Sequence, residues 1–241
     1  WCIDSNSAEV AYVTEHQEVT LQGAILAGGS RLYIPQGRAA PIALDQENGK
    51  LTGQIGQAGG VFCLLTEDNQ LIAGPPTQKE RDEQIRIADT TSGKRLTTFN
   101  NTNRVVVTKG KAFLHSNYKL QCLDLARKGK LETTIALEQA ALKKIDPKIE
   151  EQKPEIEKLK NSISQSRADL GKCLLWEIVH PTPVELIIAG DQLIAGLNNE
   201  VIIFEASTGK QLWKAPVKGK AYGLTPAEGR LIVSTDLGHI H

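Results

Sequence analysis

The stretch that decides the fold of this chain is residues 203–213, which read IFEASTGKQLW. It consists of a short apolar run, an acidic residue, three small or polar residues and Gly-Lys, followed here by Leu-Trp. The pattern recurs as IALDQENGK at residues 42–50 and as IADTTSGK at residues 87–94. Similar units at a period of about 40 residues indicate a repeat protein, because such units bury their apolar surface by stacking on one another.

The acidic residue and the glycine of this pattern predict a tight hairpin turn. A carboxylate can accept backbone N–H bonds within the turn, and glycine adopts the positive φ angle that closes it. We therefore interpret these residues as structural rather than catalytic. They are the pairs Asp45 and Gly49, Asp89 and Gly93, and Glu205 and Gly209.

Each copy of the pattern predicts four short antiparallel strands. In the first copy the strand-like runs are 24–27, 31–34 and 41–44, and the turn leads into a final strand. Four-stranded sheets that cannot bury both faces alone pack radially as blades. The sequence therefore predicts an all-β fold, a β-propeller of four-stranded antiparallel blades, with about five blades' worth of sheet. Two stacked sandwiches are the alternative, but they do not explain a repeat.

One interval between the acidic turn residues, from Asp124 to Glu205, is about double the others and contains 44 inserted residues. From 127 to 170 the sequence shows no strand-like alternation and is dominated by Lys, Glu, Gln and Ala, which favour helices. We predict propeller blades at 1–124, an inserted α-helical hairpin at 125–172 and further blades at 173–241.

The apolar spacing of the insert predicts two helices of coiled-coil type. Pro147 suits the first turn of the second helix, in which apolar residues then step by sevens from Ile149 to Leu170. Pro154 predicts a kink or restart near Lys153, because an interior proline disrupts a helix. The apolar stripe seals the two helices together or also docks on a partner, since a lone two-helix hairpin is marginally stable.

Two tryptophans and two cysteines are expected in the interior. Trp176 and Trp213 end their strands and should pack between adjacent blades, so that truncating Trp213 removes core packing. Cys122 and Cys173 are expected in strands that pair, each opposite a leucine. This register favours two buried thiols over a disulfide, although a slip of one residue would reverse that.

The charge balance argues against two classes of partner. The chain has 28 basic and 28 acidic side chains, so it carries no net charge that would favour nucleic acid or an anionic membrane surface. No apolar run reaches the roughly 18 residues of a membrane span. The partner expected instead is another protein, or the remaining blades of a propeller.

The consensus Leu-Asp-x-x-x-Gly-Lys-x-Leu-Trp, preceded by a strand such as RLYI at residues 31–34, resembles the bacterial PQQ-type repeat of quinoprotein-dehydrogenase-like β-propellers. The resemblance covers about four fifths of the chain and omits the helical insert. Such propellers usually close seven or eight blades. The resemblance therefore implies a partial chain. Trp1 and His241 fall at equivalent points of the third strand, so we expect the chain to begin and end inside a blade, with further blades from missing sequence or from another chain.

Two functions follow from the resemblance. The first is a non-enzymatic binding or assembly scaffold of the periplasm or cell envelope, which binds protein partners in part through the helical hairpin and uses no cofactor. The alternative is a fragment of a PQQ-dependent quinoprotein dehydrogenase, with PQQ and calcium as cofactors. Its quinone-binding members hold PQQ with an adjacent Cys-Cys disulfide, and this sequence has no such pair. We expect the scaffold.

A few residues are candidates for ligand binding, because propellers usually bind through loops at the ends of the central channel. Arg38 lies in a Gly/Ala loop, where a guanidinium can contact an anion, and Asp236 lies in the loop 235–238. His239 and His241 place two imidazoles on one face of a strand, a spacing able to chelate a metal. No third ligand is identifiable, and two ordinary histidines near a loop are the alternative.

Overall fold

The computed structural model describes residues 2–3, 10–12, 19, 21–37, 39–56, 58–60, 62–66, 69–74, 84–146 and 148–241. In this part of the chain the strands are β1 (Cys2–Ile3), β2 (Val10–Tyr12), β3 (Leu26–Gly28), β4 (Arg31–Gln36), β5 (Ala39–Asp45), β6 (Leu51–Gln54), β7 (Cys63–Leu65), β8 (Gln70–Ala73), β9 (Gln84–Asp89), β10 (Arg95–Asn100), β11 (Thr102–Thr108), β12 (Lys111–Ser116), β13 (Lys119–Asp124), β14 (Leu174–Val179), β15 (Glu185–Ala189), β16 (Gln192–Gly196), β17 (Asn198–Glu205), β18 (Gln211–Ala227) and β19 (Arg230–Thr235). The helices are α1 (Leu125–Leu142) and α2 (Lys153–Leu170), with short 3-10 helices at Glu150–Gln152 and Gly171–Cys173.

The strands from β3 onward form four antiparallel sheets, each with its strands in sequence order. The sheets are β3–β6, β7–β10, β11–β14 and the five-stranded β15–β19, while β1 pairs with β2. This up-and-down order follows from the tight turns, which return each strand directly beside the previous one. The predicted four-stranded antiparallel units are confirmed.

The chain divides into two compact units, Trp1–Asn103 and Arg104–His241. In the first unit, an apolar core that includes Tyr33 and Leu71 joins the sheets β3–β6 and β7–β10. In the second unit, the sheets β11–β14 and β15–β19 share a core that includes Phe113, Leu193 and Phe204. Each sheet in these pairs therefore buries one face against its neighbour.

The four sheets share one irregularity in the pairing of their third and fourth strands. Near the turn the register slips by one residue, which is the mark of a β-bulge. The pairs on the two sides of the slip are Leu44↔Leu51 and Ala43↔Gly53, Ala88↔Arg95 and Ile87↔Thr97, Leu123↔Leu174 and Cys122↔Trp176, and Phe204↔Gln211 and Ile203↔Trp213. Residues 124–173 of the third sheet thus occupy the place that residues 205–210 occupy in the fourth.

The second helix begins later than the sequence pattern predicted. It starts at Lys153, so Pro154 lies in the first helical turn, where its missing N–H has no intrahelical partner to lose. The predicted break near Lys153 is confirmed, but the predicted start after Asp146 is wrong, and Pro147 lies outside the described residues. Ile149 precedes the helix and is 39% exposed.

The two cysteines do not lie opposite leucines as predicted. The bulge sets Cys122 opposite Trp176, and Cys173 belongs to the 3-10 helix before β14 rather than to a strand. Both are buried free thiols. Burial raises the pKa of Cys122 to about 11, so this thiol stays protonated and unreactive at neutral pH.

Neither α1 nor α2 is long and apolar enough to cross a membrane, and the same is true of every helix within the described residues.

Candidate functional site

The acidic residues of the repeated turns accept hydrogen bonds within their own turns: Asp45 and Asp89 accept from backbone N–H groups, and Glu205 accepts from the Thr208 hydroxyl. Asp45 Oδ1 accepts hydrogen bonds from the backbone N–H groups of Glu47 and Asn48, at 2.9 and 3.1 Å. Asp89 Oδ1 accepts from the backbone N–H and the hydroxyl of Ser92, both at 2.7 Å. These two bonds hold the pKa of Asp89 below its usual range. The carboxylates thus organise the turns.

Each hairpin turn forms one helical turn, and its glycine ends that helical turn. Gly49, Gly93 and Gly209 have φ angles of 69°, 66° and 73°. Each donates its N–H to the carbonyl oxygen four residues earlier, at 2.8–2.9 Å. A left-handed glycine with this 5→1 bond is a common way to end a helix, so it ends the turn and returns the chain to the sheet.

In the third sheet the same chemistry starts a helix instead. Asp124 Oδ1 accepts from the backbone N–H of Arg127 at 2.9 Å and so caps α1, as Asp45 does in its turn. The glycine comes one residue later, at Gly129, and the position four residues after Asp124 is Lys128. With no left-handed glycine at that position, the chain continues through Gly129 as helix.

The helical hairpin is hydrogen-bonded to the third sheet where α1 begins, and its two helices pack against each other. The backbone N–H of Ala126 donates to the carbonyl oxygen of Gly110, in the turn between β11 and β12, at 3.1 Å. Along the hairpin, Ile163 and Ser166 are buried between the helices, and the Ser162 hydroxyl donates to Glu138 at 2.6 Å. The two helices therefore pack as one unit that is joined to the third sheet.

Trp176, at the end of the third sheet, lies against the turn of the fourth. Its Nε1–H donates to the carbonyl oxygen of Ala206 at 3.0 Å, and its ring centroid is 6.2 Å from that of Phe113. Its ring also lies over Gly209, where an added Cβ would come within 2.7 Å of Cε3. The glycine of this turn thus has two roles, a positive φ angle and room for the indole.

Trp213 occupies the equivalent position in the fourth sheet but is 47% exposed. With Ile194, Ile203 and the hairpin 226–231 it lines a groove of about 650 Å³. No turn in the part of the chain that the structure describes covers its ring as Ala206 and Gly209 cover Trp176. The full core burial expected from its sequence position is therefore not observed.

The structure brings three of the candidate ligand residues to one end of the last hairpin. Asp236 Oδ1 accepts from the backbone N–H of Lys220 at 2.7 Å, and His241 Nε2 accepts from that of Lys218 at 3.2 Å. The rings of His239 and His241 are 5.9 Å apart, in a segment that pairs with β19 through an antiparallel bridge between Ser234 and Ile240. Arg38 lies outside the described residues.

These residues make a poor cation site. Asp236 and His241 already accept backbone hydrogen bonds, and the described residues contain no group of three His, Cys, Asp or Glu placed to hold a metal ion. A calcium ion needs several oxygen ligands in one place, and the described residues provide no such cluster of acidic side chains.

The structure also contains a pair of buried histidines that the sequence pattern did not single out. His115 donates from Nε2 to the carbonyl oxygen of His180 at 3.0 Å, and His180 Nδ1 lies 2.6 Å from the carbonyl oxygen of Pro181. Both side chains are more than nine-tenths buried, and the rings of His180 and Phe204 meet edge to face. Burial lowers the pKa of His180, so its imidazole is neutral at pH 7.

Because His180 is buried in its neutral form, we expect the chain to lose stability in mild acid. The unfolded chain protonates His180 below about pH 6.5, whereas the folded chain does not, so the free energy of unfolding falls with pH at up to ~1.4 kcal/mol per unit. Urea unfolding between pH 7.5 and 5 measures this slope. The slope should flatten in His180→Gln and persist in His239→Gln, which changes an exposed histidine. An unchanged slope in His180→Gln would contradict the assignment.

The four-stranded antiparallel sheets and their turns define the class of fold as that of a β-propeller. Residues 160–240 match a PQQ-repeat family model that is described as outer membrane protein assembly factor BamB. The crystal structure of BamB from Moraxella catarrhalis superposes on 99% of this chain, with a TM-score of 0.52 at 15% sequence identity. No curated protein matches the chain in sequence.

The two matches differ in what they cover. The family model covers the second half of α2, β14 and the fourth sheet, and it confirms the predicted PQQ-type repeat there. The structural match extends over nearly the whole chain, which spans 64% of the length of the BamB structure. At this identity the structural likeness concerns the fold, which is that of a β-propeller.

Proposed function

We propose that the chain is part of a non-enzymatic β-propeller scaffold that holds protein partners during the assembly of outer-membrane proteins. The proposal places it in the bacterial periplasm or cell envelope, in line with the description of the matching family model. The observation that carries it is the helical hairpin, which replaces a turn of the sheet.

The position of the hairpin supports a role in binding rather than in folding. Residues 124–173 stand where six residues suffice in the fourth sheet, and the pairing of β13 with β14 follows the same bulged register as that of β17 with β18. The sheet therefore does not need the hairpin to complete its hydrogen bonds. Each helix has 18 residues and extends about 27 Å, which is long enough to present several turns to another protein.

The experiment replaces residues 124–173 with the turn EASTGK of residues 205–210. We expect the far-UV circular dichroism of the sheets to persist while the helical signal disappears, because both turns join strands of the same register. Proteins that copurify with the full-length chain from the envelope should be lost from this variant. Copurification is measured by quantitative mass spectrometry of affinity-purified material.

A matched control transfers the same turn into the first sheet, in place of residues 45–50. This exchange changes only a hairpin turn, so it should leave copurification intact. Retention of the partners after removal of the hairpin would contradict a role of the hairpin in binding. Loss of the sheet signal would show instead that the hairpin is needed for folding.

A further inference from the structure

One face of α1 lies away from α2 and is exposed along the whole helix. Leu131, Ile135 and Leu142 are half-buried on the same side of α1 as Glu138, which accepts the hydrogen bond from Ser162 of α2. On the opposite side, exposed residues are spaced by alternate steps of four and three, as expected for one face of a helix. They are Ala126, Lys130, Thr133, Leu137, Ala140 and Lys144, the last lying two residues beyond the end of the helix.

The apolar side chains on this face are small except for that of Leu137. Leu137 is 66% exposed, an unusual position for a large apolar side chain in the middle of a helix. Its neighbours along the face, Thr133 and Ala140, are small. A single large side chain between small ones leaves grooves into which the ridge of another helix can fit.

The exposed charged residues of α1 and of the two residues after its end are all basic, and the next exposed carboxylate, Asp146, accepts a hydrogen bond from the backbone N–H of Lys148. The exposed charged residues are Arg127, Lys130, Lys143 and Lys144, and Arg127 is 3.9 Å from Asp169 of α2. The two carboxylates of α1 are only half exposed and already engaged. Glu132 pairs with Lys128, and Glu138 accepts the hydrogen bond from Ser162.

The exposed surface of α2 is different. Glu155 and Glu157 are followed there by Lys158 and Lys160, so the charges balance within two turns of the helix. A surface of mixed charge is expected where a helix faces solvent. The uniform positive charge around an exposed leucine therefore distinguishes α1 from its neighbour in the hairpin.

We propose that the face formed by Lys130, Thr133, Leu137, Ala140 and Lys144, the α1 docking face, binds an acidic amphipathic helix of a partner protein. The apolar residues of that helix would cover Leu137 and convert the hairpin into a three-helix unit. Its carboxylates would pair with Lys130 and Lys144, which lie seven residues on either side of Leu137. Acidic residues fourteen positions apart, with small apolar residues midway, fit this arrangement whether the helices run parallel or antiparallel.

Charge argues against a second copy of the chain as the occupant. If two α1 docking faces met around Leu137, Lys130 of one copy would lie opposite Lys144 or Lys130 of the other. Like charges placed in this way repel each other. The inference rests on the proposed function, because it names the surface through which the hairpin would hold a partner.

The test uses the full chain and two synthetic helical peptides of about 21 residues, or six turns. Both carry an Ala/Leu face, and one has Glu but the other Lys at two positions fourteen residues apart. We expect fluorescence anisotropy to show binding of the Glu peptide and not of the Lys peptide. The double change Lys130→Glu/Lys144→Glu should weaken binding of the Glu peptide by at least about tenfold at low salt and create binding of the Lys peptide.

Further variants separate the docking face from the rest of the hairpin. Leu137→Asp should weaken binding of the Glu peptide by about tenfold or more, and Leu137→Gln provides a second variant if Leu137→Asp loses helical signal. Lys158→Glu/Lys160→Glu, which changes the exposed face of α2, should leave the affinity unchanged.

Several results would overturn the inference. They are equal binding of the two peptides, dimerisation of the chain in light scattering that depends on Leu137, and tighter binding to phosphatidylglycerol vesicles than to the Glu peptide. The proposed function can survive this failure. If replacing the hairpin abolishes copurification but Leu137→Asp and Lys130→Glu/Lys144→Glu do not, the hairpin binds its partner through another surface.

Discussion

Replacing Trp176 with alanine is expected to lower the free energy of unfolding by about 3–5 kcal/mol, the usual range for truncating a large aromatic side chain in a core. The indole joins two sheets of the second unit, since it contacts Phe113 in one and lies over Gly209 in the other. Its Nε1–H bond to Ala206 contributes about 1 kcal/mol of the loss. Urea unfolding followed by circular dichroism measures the change without relying on tryptophan fluorescence.

Trp213 provides the matched control, because it occupies the same register position and the same type of strand end. With 47% of its surface already in solvent, Trp213→Ala should cost about half as much as Trp176→Ala. Equal losses in the two variants would show that the contact of Trp176 with the neighbouring turn does not stabilise the chain.

Replacing Gly209 with alanine is expected to destabilise the second unit by about 3 kcal/mol, from two separate causes. A φ angle of 73° costs a residue with a Cβ about 1–2 kcal/mol. The new Cβ would also lie 2.7 Å from Cε3 of Trp176, so the indole or the turn must move and lose packing. The free energy of unfolding from urea titration gives the total.

Gly229→Ala separates these two causes. Gly229 has the same φ angle of 73°, but an added Cβ there meets no atom within 4 Å, so this variant should show only the conformational cost. In the Trp176→Ala background, Gly209→Ala should cost no more than Gly229→Ala, because the indole is gone. If Gly209→Ala still lowers the free energy of unfolding by about 3 kcal/mol in this background, the indole is not the reason that this position needs glycine.

The fold could be predicted from the sequence because its turns are formed by hydrogen bonds between residues close together in the chain. An acidic residue followed four positions later by glycine defines the turn of residues 45–50, 89–94 and 205–210, and all of these interactions lie within six residues. The helical insert was also visible, because its composition changes over a long segment. A signal that could have been used is the glycine after Asp124, which comes one residue too late to end the turn.

The candidate site was harder to predict, because its features depend on contacts between distant residues. The buried pair of His115 and His180 brings together residues that are far apart in the sequence, and neither position carries a distinctive pattern. The half exposure of Trp213 has the same origin, since its sequence environment resembles that of Trp176. The bulge that displaced Cys122 from its expected partner depends on two strands separated by the whole hairpin.

The repeated Asp-x-x-x-Gly-Lys pattern thus specified the four-stranded unit, the spacing of the units and the place of the insert, because its hydrogen bonds form among neighbouring residues. Three features required the packed chain: which tryptophan is covered, which histidines are buried and which face of α1 remains exposed. Each depends on whether a segment distant in sequence comes to lie against the residue. Local sequence patterns do not specify which distant segment packs against a residue. Packing between sheets and between helices determines it.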